Sequence, residues 1–177
     1  MGTVTRLPFD PIERAGELWE RHFGPSGSMR LVTSVMRVQQ ILIAELDVLL
    51  KPFDLTFARY EVLVLLTFSR NGELPLSKIG ARLMVHPASV TNAIDRLEAQ
   101  GLVARRRDTG DRRRTFAAVT PAGRRVVTRA TRVLMAADFG LRGLDPPGRE
   151  NAYDLLREVR SAAGDFDGVP AAPAGSA

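Results

Sequence analysis

The chain has 177 residues, 45% hydrophobic and 25% charged, with a net charge of +5 and a pI near 10.6. This excludes wholesale disorder and leaves room for one folded core, or for a small domain with an oligomerisation element. The absence of cysteine excludes disulfides, thiolate metal sites and thiol redox sensing, and His22 and His86 are too few and too far apart for zinc. The first residues, MGTVTRLPFDPIER, contain no apolar run of signal-peptide length, and no later stretch approaches 18 apolar residues. A soluble, cytoplasmic protein without a membrane partner is the expectation.

Asp10-Pro11-Ile12-Glu13 is a helix start, and Ile12, Ala15, Trp19 and Phe23 follow at helical spacing up to the breaker Gly24-Pro25-Ser26-Gly27. From Ser28 to Lys51 a wide apolar stripe, including Val32, Val35, Met36, Leu42, Leu46 and Leu50, predicts a long helix that Pro52 stops. Thr56 is placed to cap a helix from Phe57 to about Arg70, ended by Asn71-Gly72. Leu74-Pro75-Leu76 is too short to stand alone but suits the edge of a later hairpin. Ser77 is expected to cap a short helix to about Met84, and Pro87 to open another to about Gln100, closed by Gly101. Leu102–Arg107 and Arg114–Val119 read as strands around a turn. Thr120-Pro121 restarts helix, with Val126, Ala130, Val133, Ala137 and Leu141 repeating every three to four residues. Asp145-Pro146 opens a last helix carrying Ala152, Leu155, Leu156 and Val159, and from Gly164 the composition predicts a disordered tail.

Helix, turn, helix, then a two-stranded hairpin with a basic tip is the order of a winged helix-turn-helix. Eight arginines fall between Arg105 and Arg125, against Asp108 and Asp111. Charge concentrated in this way fits a polyanion partner better than a generic solvated face does. In the helix that starts at Pro87, Val90, Ile94 and Leu97 are spaced to face a core. Ala88, Ser89, Thr91, Asn92 and Arg96 are then left for the major groove of double-stranded DNA. Arg113 is the first choice for a narrow minor groove, with Arg112 beside it on phosphate and Asp111 holding the turn or orienting an arginine. The bland alternative is a solvated basic loop. Arg105, Arg106 and Arg107 alternate across a strand, so some face DNA and others the helical region. His86 lies near the start of the reading helix, within reach of phosphate. The helices at both ends carry apolar faces that so small a winged module does not cover. A homodimer would cover them and place two reading helices about 34 Å apart on a palindromic operator.

These residues resemble the MarR family of bacterial transcriptional regulators over residues 28–163. The strongest likeness is the wing pattern D-x-x-D-R-R at Asp108, Asp111, Arg112 and Arg113, followed by Val119-Thr120-Pro121-Ala122-Gly123. Leu55-Thr-Phe-Ala-Arg-Tyr-Glu-Val-Leu and Asp95-Arg96-Leu97-Glu98 fit the same pattern. The resemblance implies a homodimer of triangular outline with two winged lobes gripping DNA. Pro11-Ile-Glu-Arg-Ala-Gly-Glu-Leu-Trp19 is also similar to the urate-responsive branch, which implies a pocket at Trp19, Glu61 and Arg105. That branch uses Asp where this chain has Glu61, and a second arginine where it has Ala93, so a related small aromatic or anionic ligand replaces urate as the expectation. The residues alone leave other readings open. Trp19 also suits packing or a dimer contact, and Glu61 and Arg105 also suit a salt bridge with each other.

The fold class expected is mainly α with a small β-hairpin wing, a winged helix-turn-helix plus a helical dimerisation region. The division is 10–55 for N-terminal dimerisation helices, 56–120 for the DNA-binding domain, 121–163 for C-terminal dimerisation helices and 164–177 for the tail. The functional expectation is a dimeric, ligand-modulated repressor without a cofactor. Its rival is an architectural DNA-binding protein that needs no ligand. An enzyme is not expected: the chain has no cysteine nucleophile, no phosphate-binding glycine loop, no metal cluster and no persuasive Ser-His-Asp set.

Overall fold

Asp10 starts the first helix, α1 (Pro11–His22), by accepting the Ile12 amide on its carboxylate at 2.8 Å, with Pro11 at the position where a missing N–H costs nothing. The computed structural model describes residues 7–107, 110 and 114–167. After a tight link in which Ser26 is buried and donates to Glu20 at 2.6 Å, α2 (Gly27–Leu50) runs for 24 residues. Only its last turns enter the core, through Leu46 and Leu50. Its first half leaves Leu31, Val32, Val35, Met36 and Val38 exposed. A single 3-10 turn, Lys51–Phe53, and a left-handed Asp54 reverse the chain. Asp47 of α2 then accepts the Phe57 amide at 2.6 Å and Thr56 that of Arg59, so α3 (Phe57–Phe68) is capped from two directions.

The winged module follows. β1 (Glu73–Pro75), β2 (Val103–Arg107) and β3 (Thr115–Val119) form an antiparallel sheet in the order β1-β3-β2, with Leu74 and Arg105 both opposite Ala117. The Leu74-Pro75 segment therefore does take the edge of the hairpin. Between β1 and β2 lie α4 (Leu76–Leu83) and α5 (Pro87–Ala99). The helix expected from Ser77 starts instead at Leu76. Pro75 precedes it in extended conformation, no side chain caps it, and Ser77 lies within the first turn.

Thr120 caps α6 (Pro121–Ala136) by accepting the Gly123 amide at 3.0 Å. Here the periodic signal runs past the helix. Val133, Ala137 and Leu141 keep helical spacing, yet α6 ends at Ala136 and a 3-10 turn, Asp138–Gly140, follows with positive φ at Asp138, Phe139 and Gly140. Left-handed backbone cannot continue a right-handed helix, so the break wins over the pattern. Residues up to Gly140 make one compact unit and those from Leu141 another. The second contains α7 (Pro146–Ala162), where Asp145 accepts the Gly148 amide at 2.9 Å and no residue is buried. The tail expected from Gly164 falls mostly on residues 168–177, outside those described.

One hydrophobic cluster joins the end of α2 to the winged module, with Leu50, Leu63, Leu66, Ile79, Ile94, Leu97 and Leu134 fully buried. Each such side chain contributes about 1.5–3 kcal/mol through burial, so α4, α5 and α6 are held to a common base. Tyr60 of α3 adds a hydrogen bond to Thr131 of α6 at 2.9 Å.

Candidate nucleic-acid interface

Helix α4 ends at Met84, whose φ of 53° and ψ of 41° turn the chain sharply, and the Val85 amide closes on the Gly80 carbonyl at 3.1 Å. Glycine at position 80 lets that corner and Val90 approach: a Cβ there would lie 3.3 Å from the Val85 oxygen and 3.4 Å from the Val90 side chain. His86 then caps α5, its Nδ1 accepting the Ala88 amide at 3.2 Å, and Pro87 takes the first helical position. Val90, Ile94 and Leu97 anchor the helix in the core. Ala88, Ser89, Thr91, Asn92 and Arg96 consequently lie on the exposed face.

The structure divides the wing arginines by the faces of β2. Arg105 turns to α5, its guanidinium 2.5 Å from Asp95 and 2.8 Å from Glu98, with a further bond to the Thr91 carbonyl at 3.3 Å. Glu98 also accepts the Arg105 backbone amide at 3.0 Å, so strand and helix are joined twice. Burial alone would lower the Arg105 pKa, but the hydrogen bonds to Asp95 and Glu98 outweigh it and raise it above the ordinary arginine value. Arg106 points to the other side, paired with Glu73 of β1 at 2.7 Å and lying 4.7 Å over the Phe116 ring. Arg107 is exposed. The wing residues Asp111, Arg112 and Arg113 lie outside the described residues.

Among the described residues no hydrogen bond, ion pair or ring contact joins the members of the expected ligand trio within the protomer. Trp19 stands exposed on α1 with its ring 5.0 Å from that of Phe23. Glu61 is half-buried on α3, and burial raises its carboxyl pKa above the usual range. The cavity that Arg105 lines, about 520 Å³, is completed by Leu76, Thr91, Asp95, Arg107 and Thr115, with neither Trp19 nor Glu61 among them. The salt bridge weighed between Glu61 and Arg105 does not form. Glu98, seven residues before Arg105 and across the α5–β2 corner, pairs with it instead.

Three cations join the exposed face without having been singled out in the sequence. Lys78 and Arg82 are exposed on α4, four residues apart, so they share one side of the helix, beside the buried Ile79. That spacing was the signal available. Arg59 of α3 lines a groove of about 630 Å³ with Ser89, Asn92, Arg96 and Gln100, a neighbourhood that depends on tertiary packing and has no local signature. Gln100 fixes the floor of this groove by donating to the Asp54 carbonyl at 2.8 Å and carboxylate at 2.6 Å.

A helix-turn-helix whose second helix is exposed beside a basic hairpin defines the winged helix class of protein. Residues 57–115 match the MarR family. The structure is similar to that of Sco5413, a MarR family transcriptional regulator from Streptomyces coelicolor, at 58% identity and a TM-score of 0.75, over 80% of this chain and 98% of that one. The chain belongs to the MarR family of transcriptional regulators. It is also 34% identical over 85 residues to the uncharacterized HTH-type transcriptional regulator YhbI of Bacillus subtilis, a match covering 48% of this chain and 54% of YhbI. The chain spans about half the length of the curated relatives it matches. A mutant of MarR from E. coli, solved in complex with operator DNA, shares the fold at 21% identity and a TM-score of 0.67, over 76% of this chain and 96% of that one. Among the described residues no helix is long and apolar enough to cross a membrane.

Proposed function

We propose that the chain acts as a homodimeric repressor that binds a palindromic double-stranded DNA operator, one α5 in each of two successive major grooves. The observation that carries this is the exposed row Ala88, Ser89, Thr91, Asn92 and Arg96, presented on a helix whose opposite side is locked into the core. Lys78, Arg82 and Arg59 flank the row as phosphate contacts. Arg112 and Arg113, with Asp111 holding the turn or orienting one of them, complete the set from the wing. Residues 56–120 form the reading domain in this proposal, and residues 10–55 and 121–163 the dimerisation region. Repression follows where the operator overlaps a promoter. Selection of sites from a random duplex library, with sedimentation of the complex, tests the proposal. The expected result is a palindromic consensus, half-sites about one helical turn apart, and two protomers per duplex. Tight low-salt binding without a preferred sequence would identify an architectural protein instead.

Modulation by a small aromatic or anionic molecule belongs to the same proposal, and Arg105 supports it. A ligand carboxylate or enolate exchanging with Asp95 or Glu98 would loosen β2 from α5 and change how the wing and reading helix fit DNA together. Trp19, the only tryptophan, reports directly on contact with α1. Titration of aromatic carboxylates, phenols and urate should release DNA. A fluorescence change at Trp19 would extend the site to it, and parallel titration of Glu61→Gln would do so for Glu61.

Two mutational outcomes separate the roles of the cations. Arg82→Ala should reduce the log–log salt slope of DNA binding by about 0.9 for each phosphate left unneutralised, that is, once per lobe. Arg105→Ala should leave the slope unchanged, because its guanidinium is already held by two carboxylates. Being a partly exposed network, it should cost only about 1 kcal/mol of stability, read by thermal unfolding. A slope change at Arg105 equal to that at Arg82 would mean that Arg105 leaves its carboxylates for phosphate.

A further inference from the structure

The front of α5 has a chemical bias that its role as a reading helix does not by itself require. Residues 83–95, spanning the turn and more than two turns of the helix, contain no lysine and no arginine. Of the nine residues this stretch exposes, the apolar ones cluster at the turn and the helix start. Met84 is 85% exposed and Val85 40%, and Pro87 and Ala88 are exposed beside them. Met84, Val85 and Pro87 edge a cavity of about 590 Å³ that continues to Thr91 on the reading face.

The polar groups in the same stretch differ in what they have left to offer. His86 uses Nδ1 to cap the helix, and the Thr91 hydroxyl donates to the Pro87 carbonyl at 3.2 Å. Thr91 therefore presents a methyl group and lone pairs rather than a free donor. The Asn92 carboxamide makes no hydrogen bond among the described residues, so its donor and acceptor are both available.

Each base pair presents a distinct pattern in the major groove. Guanine is matched by the fork of arginine or by lysine, adenine by the paired donor and acceptor of asparagine or glutamine, and thymine by apolar contact with its methyl group. Asp95, whose carboxylate would otherwise suit the cytosine amino group, is paired with Arg105, and the Ser89 hydroxyl suits either base. A surface with a free carboxamide, several apolar groups and no lysine or arginine therefore fits adenine and thymine and lacks the forked cation that selects guanine. The first side chain able to fork onto guanine is Arg96, one turn beyond Asn92.

We infer that the α4–α5 turn and the first turns of α5 select A·T base pairs, Asn92 bonding adenine while Met84, Val85 and the Thr91 methyl pack against thymine methyl groups. This rests on the DNA-binding reading above and supplies the base composition which that reading leaves open. Met84 and Val85 thereby become specificity-determining residues, although neither carries a polar side chain.

The test uses the full chain and duplexes selected from a library randomised across the whole footprint. A·T pairs are expected where interference mapping places the start of α5. Replacing single thymines there by deoxyuridine removes only the methyl group and should lower affinity about three- to fourfold per contacted position, the effect of exposing one buried methyl. Met84→Ala combined with Val85→Ala should remove the difference between thymine and deoxyuridine at every contacted position except the one that the Thr91 methyl meets. Asn92→Ala should weaken selection of one A·T pair per half-site about tenfold. Selection of G·C pairs at these positions, or deoxyuridine duplexes bound by the wild type as tightly as thymine duplexes, would overturn the inference. A thymine preference that persists undiminished in the double variant would overturn the assignment to Met84 and Val85. Failure to bind any duplex at low salt would remove the DNA-binding reading itself, and this inference with it.

Discussion

If the chain dimerises as proposed, Leu155→Glu is expected to leave the protomer folded, yield a monomer, and weaken binding to a palindromic duplex about 10²–10⁴-fold. The expectation comes from where apolar surface is left uncovered. Helix α7 buries no residue, and Leu155 is 65% exposed, with Tyr153, Leu156 and Val159 exposed nearby. Helix α2 leaves Leu31, Val32, Val35 and Met36 uncovered in the same way. Single exposed apolar residues are ordinary, but a row of them along one helix, as α2 and α7 each carry, is what the proposed dimer would cover. Because Leu155 is exposed in the protomer, a charge there disturbs no core packing. In a helix–helix interface the same carboxylate would be buried without a partner, which costs several kcal/mol. Linked half-sites gain affinity because the second lobe binds as an intramolecular event, and a monomer forfeits that gain. Sedimentation should report a mass near 19.4 kDa for the variant and about twice that for the wild type. A variant that remains dimeric and binds unchanged would place the interface away from α7.

Much of the winged module was legible because its signals are local. The Pro87 start, the Thr120 cap and the strands around the basic turn each rest on a few adjacent residues whose backbone preferences agree, as does the Asp145 cap of α7 beyond the module. The exposed row of α5 was legible for the same reason, since the apolar spacing of Val90, Ile94 and Leu97 assigns the remaining positions to solvent. What failed depended on non-local packing or on backbone strain. The α6 stripe suggested helix through Leu141, but periodicity says nothing of the left-handed residues Asp138 and Phe139. Strand alternation showed that Arg105 and Arg106 face opposite ways without revealing which carboxylate each would meet. Glu73 lies 33 residues before Arg106 and reaches it only through the β1 edge. Arg59 was missed because its groove forms where α3 meets α5.

Gly123→Ala is expected to destabilise the fold by about 2–5 kcal/mol, although it replaces one small residue by another. Gly123 is buried in the first turn of α6, and its φ is not in the left-handed region, so the demand is for space and not for unusual backbone. A Cβ there would fall on the Leu102 carbonyl oxygen and lie 2.9 Å from a methyl of Val119. That carbonyl cannot simply move, since it accepts the Thr120 amide at 3.0 Å and the Thr120 hydroxyl at 3.2 Å. The same hydroxyl donates to the Gly101 carbonyl at 2.8 Å and accepts the Gly123 amide, so one residue seats α6 on the base of the wing. The substitution must displace either the start of β2 or the start of α6, and both support the placement of α5. At about 2–4 °C per kcal/mol for a chain of this size, the melting temperature should fall by about 4–20 °C. Gly27→Ala is the control: nothing lies within 4 Å of a Cβ at that position, the first of α2, and a helical alanine there should be neutral or slightly stabilising. Equal melting temperatures for the two variants would show that α6 does not rest on the wing as described. A selective fall for Gly123→Ala, with DNA affinity lost in parallel, would tie the Thr-Pro-Ala-Gly segment to the placement of the reading helix.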